Sequence, residues 1–506
     1  MLGRKSFDNK PIFISLEDYV PKDNFLRRLE KAVDLSFIPD LVKGLYSRIG
    51  RPSIDPIVFF KISLIGFLYG ITSDRQLMKD IHLNLGFRLF VGYNLDEDLP
   101  DHSTLSKTRN RFGLEVFQEI FDQIVYQCIN AGLVGGEHLS FDATLVAADA
   151  SMSSMTPRMS VAEFTKEVFE NNPVNDESND IDNNKNSSVP QQHNPTVKLA
   201  EPDESSKKNK KKTNPLSNAT HVSKTDPDAT LSKDRNSMMT KLSYKDNVSV
   251  DSKHRIITDC VAITGSEDEA IGVLDRLLRI KYKFGISPKE VSADKKYGTE
   301  KNLKGFEDSD VEAFIPIRKH GENTATGLYT LADFTYDEIN DVMICPAGQK
   351  LSPASFLFEG RYRLFRAKKK ICLSCPQKDQ CTKIGEKRPT GRTLCVSIHR
   401  DCIERTKQRL KTAKGRKANN IRKTRVETIF GEGKNLHCLR RAKWRGLTKV
   451  HIQFLMIGMT QNIKRMVQIL MPKHKAVNSA ALHPFFSWIF IPFKVLQIKF
   501  SLSFVE

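Results

Sequence analysis

Three carboxylates from distant parts of the chain have the types and settings for metal-assisted chemistry on phosphate. Asp142 ends the alternating, β-rich run His138–Val146, Asp294 ends a second strand that begins at Glu290, and Glu427 lies on a late helix. Each is far from the next in sequence, so only the fold can bring them together. Acids that converge in this way are typical of two-metal phosphoryl transfer. Carboxylate oxygens suit Mg²⁺, with one metal activating the attacking hydroxyl or water and the other stabilising the leaving oxygen. A lone acid at a strand end is usually a cap or turn residue, so the set carries the reading and no single member does.

The third acid sits in Arg425-Val426-Glu427-Thr428-Ile429-Phe430-Gly431-Glu432-Gly433-Lys434. A helix turns about 100° per residue, so positions seven apart nearly coincide on its surface. Glu427 and Lys434 therefore share a face with Asn420, and Lys423 lies close behind. An acid flanked by cations serves a metal ion and a nucleic-acid phosphate side by side. The plainer reading is a salt-bridged surface helix. Glu432 is a rival third acid, but it falls about 140° round the helix from Glu427.

A second cluster is thiol. Cys345, Cys372, Cys375 and Cys381 combine one C-x-x-C pair with two outlying cysteines, close to a closed structural Cys₄ zinc set. The alternative is four buried or idle cysteines in a loop-rich segment. Nine cysteines, an odd number, argue against a secreted disulfide framework. With no signal-peptide pattern in Met1–Ser6, this points to the cytoplasm. The apolar runs at 54–71 and 484–500 are broken by Lys or Gly and read as buried helices rather than membrane spans.

The elements that must position these groups follow from periodicity. Residues 1–135 read as a helical domain. Within it, Pro100–Arg111 is a capped helix start in which Ser103 and Thr104 cap and Lys107, Arg109 and Arg111 follow within two turns. Helix-turn-helix proteins present such a helix start to the major groove, although an ordinary surface helix has the same signature. Strands at 138–146, 242–250, 256–264, 290–294 and 311–317, with a helix at 267–281, describe a mixed sheet with flanking helices. Residues 152–235 are dense in Asn, Ser, Lys, Asp and Pro, include the run Lys207–Lys212, and read as a disordered insertion. Residues 335–400 form a cysteine-bearing insertion, helices follow at 402–412, 416–434 and 446–470, and 473–506 is an apolar tail to which we assign no function.

The segments Phe141–Ser151, Ala293–Gly298 and Val426–Lys434 resemble, in this order, the three acidic motifs of bacterial insertion-sequence DDE transposases. Gly50–Pro56 with Pro100–Thr104 resembles the family's helical DNA-binding region, and Ser223–Ala229 and Trp444–Leu447 are further matches. The resemblance implies an α+β or α/β chain with an RNase H-like mixed β-sheet core flanked by helices (136–334 and 401–472), an all-α N-terminal domain and a small cysteine-rich insertion. It implies cleavage of transposon ends and joining of the freed 3′-hydroxyl to target DNA. Asp142, Asp294 and Glu427 then hold Mg²⁺ (or Mn²⁺), Lys434 contacts terminal DNA, and Lys423 and the Ser103–Arg111 helix start contact DNA. Asn420 and Lys423 stand where the related Y-R-E-K signature has Tyr and Arg, so no ring stacks on a base and a bidentate phosphate partner is lost. The implied partners are double-stranded DNA, as terminal inverted repeats and as target, and further copies of the chain assembled on it. A catalytically silent DNA-binding regulator of the same descent is the alternative. A formal net charge of +19 favours a polyanionic partner on independent grounds.

Overall fold

The computed structural model describes Phe13 and residues 15–47, 49–50, 52–158, 216–233, 238–318, 328–357, 362–381 and 391–472. The apolar tail and most of the polar stretch lie outside them. The N-terminal part is helical: α1 (Leu16–Tyr19), α2 (Phe25–Ala32), α3 (Ile38–Val42), α4 (Pro56–Leu68), α5 (Asp74–Leu83), α6 (Leu85–Val91) and α7 (His102–Asn130). In α4, Asp55 accepts from the Ile57 and Val58 N–H groups and Pro56 opens the helix, after which an almost wholly apolar sequence is buried. In α7 the helix is broken at Gly113, whose φ of 69° no helical residue adopts, so it is two helices end to end.

The principal sheet has six strands: β1 (His138–Ala147), β4 (Thr230–Lys233), β5 (Thr240–Asp251), β6 (Ile257–Thr264), β7 (Glu290–Ala293) and β8 (Glu312–Phe314). Its order is β4-β5-β1-β7-β8, with β6 also on β5. β5 runs antiparallel to β1 and β6, whereas β7 and β8 run parallel to β1. Short strands β2 (Met155–Pro157) and β3 (His221–Ser223) pair across the polar stretch. The disordered insertion expected over 152–235 is therefore corrected at both ends, where β2, β3 and β4 are ordered. The helix expected from Glu267 starts later, as α8 (Val273–Phe284), because Gly272 adopts a φ of +75°. It is followed by α9 (Glu300–Asp308).

A second sheet, β9 (Thr335–Asp337), β10 (Val342–Ile344), β11 (Lys350–Leu357), β12 (Tyr362–Arg366) and β13 (Thr393–Ser397), is antiparallel throughout and has a small core of its own. Helices α10 (Lys369–Leu373) and α11 (Lys378–Cys381) lie within this stretch. The described chain closes with α12 (Arg400–Lys411), α13 (Ala413–Leu436) and α14 (Leu447–Leu470). Alternation in β1 and β5 sends even-numbered residues to one face and odd-numbered ones to the other. Val146, Tyr244 and Val248 join the N-terminal helices and α14 in one continuous core. Leu139 and Phe141 pack against α8 and α9 in another.

Candidate active site

Asp142 lies in the middle of β1, not at its end, and Asp294 is the first residue beyond β7. The parallel register pairs Ser140 with Ser292 and Phe141 with Ala293, so the two aspartates occupy the next row on neighbouring strands. That row faces the same side as Ser140 and Ser292, whose hydroxyls meet at 2.8 Å. Asp142 accepts from the Ala143 N–H (2.8 Å) and from Arg422 Nη1 of α13 (3.2 Å). Asp294 accepts from the Lys295 N–H at 2.6 Å and caps the short turn Lys295–Tyr297. Burial lifts the Asp142 carboxyl to about 6; the Ala143 N–H and Arg422 pull it down, while Asp294 and Glu269 push it further up. Of these two adjacent acids Asp142 is the one met by the guanidinium, and the local excess of negative charge suits a cation.

Arg422 was not among the residues singled out by sequence. Its signal was the helical spacing that places it in line with Val426, Ile429 and Gly433, the buried face of α13. Glu427 is one residue past Val426, is exposed, and makes no hydrogen bond or ion pair among the described residues. Asn420 and Lys423 are exposed on the same helix. Lys434 turns back to the sheet, where its Nζ donates to Thr144 Oγ1 at 2.6 Å. Opposite Thr144 on β5 lies Asp246, a buried carboxylate absent from the sequence reading. Burial raises it to about 7, against the Cys260 thiol and the Arg276 and Lys434 cations. Glu432 accepts from Lys464 (2.6 Å) and Arg465 (3.0 Å) of α14 and so is occupied structurally. Among the described residues, no three His, Cys, Asp or Glu side chains are already grouped closely enough to hold a metal ion.

The start of α7 departs from expectation in two ways. Its cap is Asp101, which accepts from the Ser103 N–H at 2.8 Å, rather than Ser103 or Thr104. Ser103, Lys107 and Arg111 are exposed and Thr104 is half-buried. Arg109, expected among the groove-facing cations, is buried instead. It pairs with Asp74 (3.1 Å) and stacks 3.9 Å above the Trp444 ring, because α7 turns that side towards α5 and the segment before α14.

Cys345, Cys372, Cys375 and Cys381 line one small cavity together with Arg392. The Gln349 N–H donates to Cys345 Sγ and the Arg392 N–H to Cys372 Sγ, both at 3.3 Å. Gly348, at a φ of +75°, makes the turn that aims the first of these. Burial raises the Cys381 thiol, Arg392 opposes this, and the other three cysteines add to it.

Two family models match the chain: a transposase domain (DUF772) over residues 14–111, and a transposase DDE domain over residues 344–467. The chain belongs to the insertion-sequence DDE transposases. No curated protein and no solved structure matches it. The DDE match takes in Glu427, Lys434 and the four cysteines, whereas Asp142 and Asp294 lie outside both matched segments.

The transposase also joins two segments that the sequence showed only as separate matches. Asp226, fully buried, accepts from the Tyr244 hydroxyl (2.6 Å) and the Gly446 N–H (3.1 Å), and Asp228 accepts from the Leu447 N–H (2.8 Å). The Ser223–Ala229 segment thus supplies the cap that Gly446 itself lacks at the start of α14. Arg441 and Arg445 bind Asp149 just past β1, both at about 3 Å. The chain beyond the third acidic motif is thereby tied to the chain beyond the first.

Proposed function

We propose that this transposase binds the ends of its insertion sequence, cleaves them by phosphodiester hydrolysis and joins the 3′-hydroxyl ends to target DNA. The observation that carries the reading is the row of Asp142 and Asp294 on parallel neighbouring strands, overlooked by α13. The order β5-β1-β7-β8, with β5 alone antiparallel, supports an RNase H-like core in two segments, 136–334 and 401–472. The donor set fits a divalent ion: two hard oxygen ligands lie side by side, and the Arg422 guanidinium of α13 meets Asp142. Asp142 and Asp294 would hold Mg²⁺ or Mn²⁺, and Glu427, exposed on α13, would supply the third carboxylate. When bound, such an ion neutralises phosphate charge and lowers the pKa of bound water. Arg422 holds the Asp142 carboxylate in place, and Lys434 stands one row further along β1 to meet a phosphate.

Residues 1–135 would carry end recognition through Ser103, Thr104, Lys107 and Arg111, with Lys423 adding a phosphate contact. The four cysteines, gathered round one cavity with two N–H groups already aimed at sulfur, would hold a structural Zn²⁺ in the 335–400 insertion. We place the protein in the cytoplasm, assembled as a homo-oligomer on DNA; no helix among the described residues is long and apolar enough to cross a membrane.

Asp294→Asn tests the catalytic reading on a plasmid bearing the insertion-sequence ends. Mg²⁺-dependent nicking should disappear while end binding stays within about twofold, because the phosphate contacts lie elsewhere. Wild-type nicking by this variant would end the assignment. End binding by the parent protein without any nicking would favour the silent regulator.

A further inference from the structure

A carboxylate in the middle of a sheet, flanked by strands on both sides, is costly to bury and calls for a partner. Asp246 is such a group. It lies between β1 and β6, opposite Thr144 on one side and Ala262 on the other, and is 3% exposed. Its direct hydrogen bond comes from the Cys260 thiol, a weak donor, at 3.3 Å. Arg276 belongs to the opposite face, where it binds Asn247 and Asp259. On Asp246's own face the cation is Lys434, whose charge acts on it and whose Nζ rests on the opposing Thr144 hydroxyl.

We propose that Asp246 is a positioning residue for Lys434. Its carboxylate draws the ammonium down onto Thr144 and fixes its height over β1, one same-face step from Asp142. Successive same-face residues on a strand are about 6–7 Å apart, a span that one phosphate group bridges. A lysine tail has many rotamers, and an unanchored one would reach that point only part of the time. The inference rests on the proposed phosphate contact of Lys434, but the anchoring can be measured without it.

The test uses the full chain at pH 8. Acetylation of Lys434 by limiting acetic anhydride, read by peptide mass spectrometry, should be several-fold faster in Asp246→Asn than in the parent, with other lysines unchanged. Equal labelling would overturn the proposal. End cleavage at saturating DNA should slow about tenfold in Asp246→Asn with DNA affinity kept, since small displacements of a charge-bearing group cost rate rather than binding. In a Lys434→Ala background the same substitution should cost nothing more; penalties that multiply would also overturn it. If Lys434→Ala alone cleaves normally, the phosphate contact falls, and the labelling still decides whether Asp246 holds the lysine. Should Asp246→Asn fail to melt cooperatively, Asp246→Ser takes its place.

Discussion

Asp142 and Glu432 are both partly buried carboxylates, yet their surroundings drive them in opposite directions. Asp142 is lifted to about 6 by burial, with one guanidinium against the neighbouring acid. Its charged form is disfavoured in the fold, so its burden on stability grows as pH rises through that value and then levels off. Burial would also lift Glu432, but His437, Lys464 and Arg465 outweigh it and hold the carboxyl at about 2. Its contribution is complete above the ordinary 4.5 and is lost as pH falls from there towards about 2. Glu432→Gln should therefore destabilise the protein at pH 7 by roughly 3 kcal/mol, the cost of leaving Lys464 and Arg465 without their acid. Denaturant midpoints of parent and variant should converge as the buffer is taken from pH 5 to pH 3; a constant gap would refute the linkage. Asp142, Asp294 and Glu427 could be picked out as candidates from residue type and spacing, although Asp142 proved to lie in the middle of β1 and not at the expected strand end. Arg422 and Asp246 could not, since both occupy positions that periodicity assigns to the interior, where a charged residue takes its partner from another element.

At the scale of elements, the strands around Asp142 and Asp294 were readable from alternation and β-branched content, and β5, β6 and α12–α14 fall close to the expected bounds. What escaped was what holds their ends. The start of α14 depends on Asp226 and Asp228, more than two hundred residues earlier and within a stretch whose composition signals disorder. No local pattern reveals a cap borrowed from so far away. Asp226→Ala should leave the Tyr244 hydroxyl and the Gly446 N–H unpaired in the interior, a loss of roughly 2–4 kcal/mol. A lower urea midpoint with an unchanged slope would bear this out; an unchanged midpoint would show that the cap contributes nothing. The proposed zinc belongs to the same scale, because the second sheet has only a small core of its own. Metal analysis should find one zinc per chain, and a chelator should expose the 335–400 segment to protease before the rest of the protein. Zinc-free protein with four freely titrating thiols would reject that site.

At the scale of the whole molecule, the N-terminal helices are tied to the principal sheet more closely than a separable domain would be. One hydrophobic core runs from α2 through α4 and α7 to β5, β6 and α14, so cutting at residue 135 would expose a large apolar face. At this junction Arg109 and Lys443 both bind Asp74, and Arg109 stacks on Trp444, which joins the α7 start to the segment leading into α14. The sequence presented Arg109 as one of three cations on a helix start, and spacing alone could not tell which of them the neighbouring helices would cover. The three should now separate by experiment on the full chain. Lys107→Ala and Arg111→Ala should each weaken binding to terminal-repeat DNA and reduce the slope of log affinity against log salt by about one. Both should leave the melting temperature nearly unchanged, because Lys107 is exposed and Arg111, also exposed, contacts Ser53 at 3.3 Å and the Tyr46 ring among the described residues. Arg109→Ala should do the reverse: the salt slope stays as in the parent, and melting falls by several degrees as Asp74 and Trp444 lose their common partner. Titrations at three salt concentrations against terminal-repeat and scrambled duplex decide the matter. Equal affinity for the two duplexes would move end recognition away from α7, and a salt slope altered by Arg109→Ala alone would return that residue to the DNA surface.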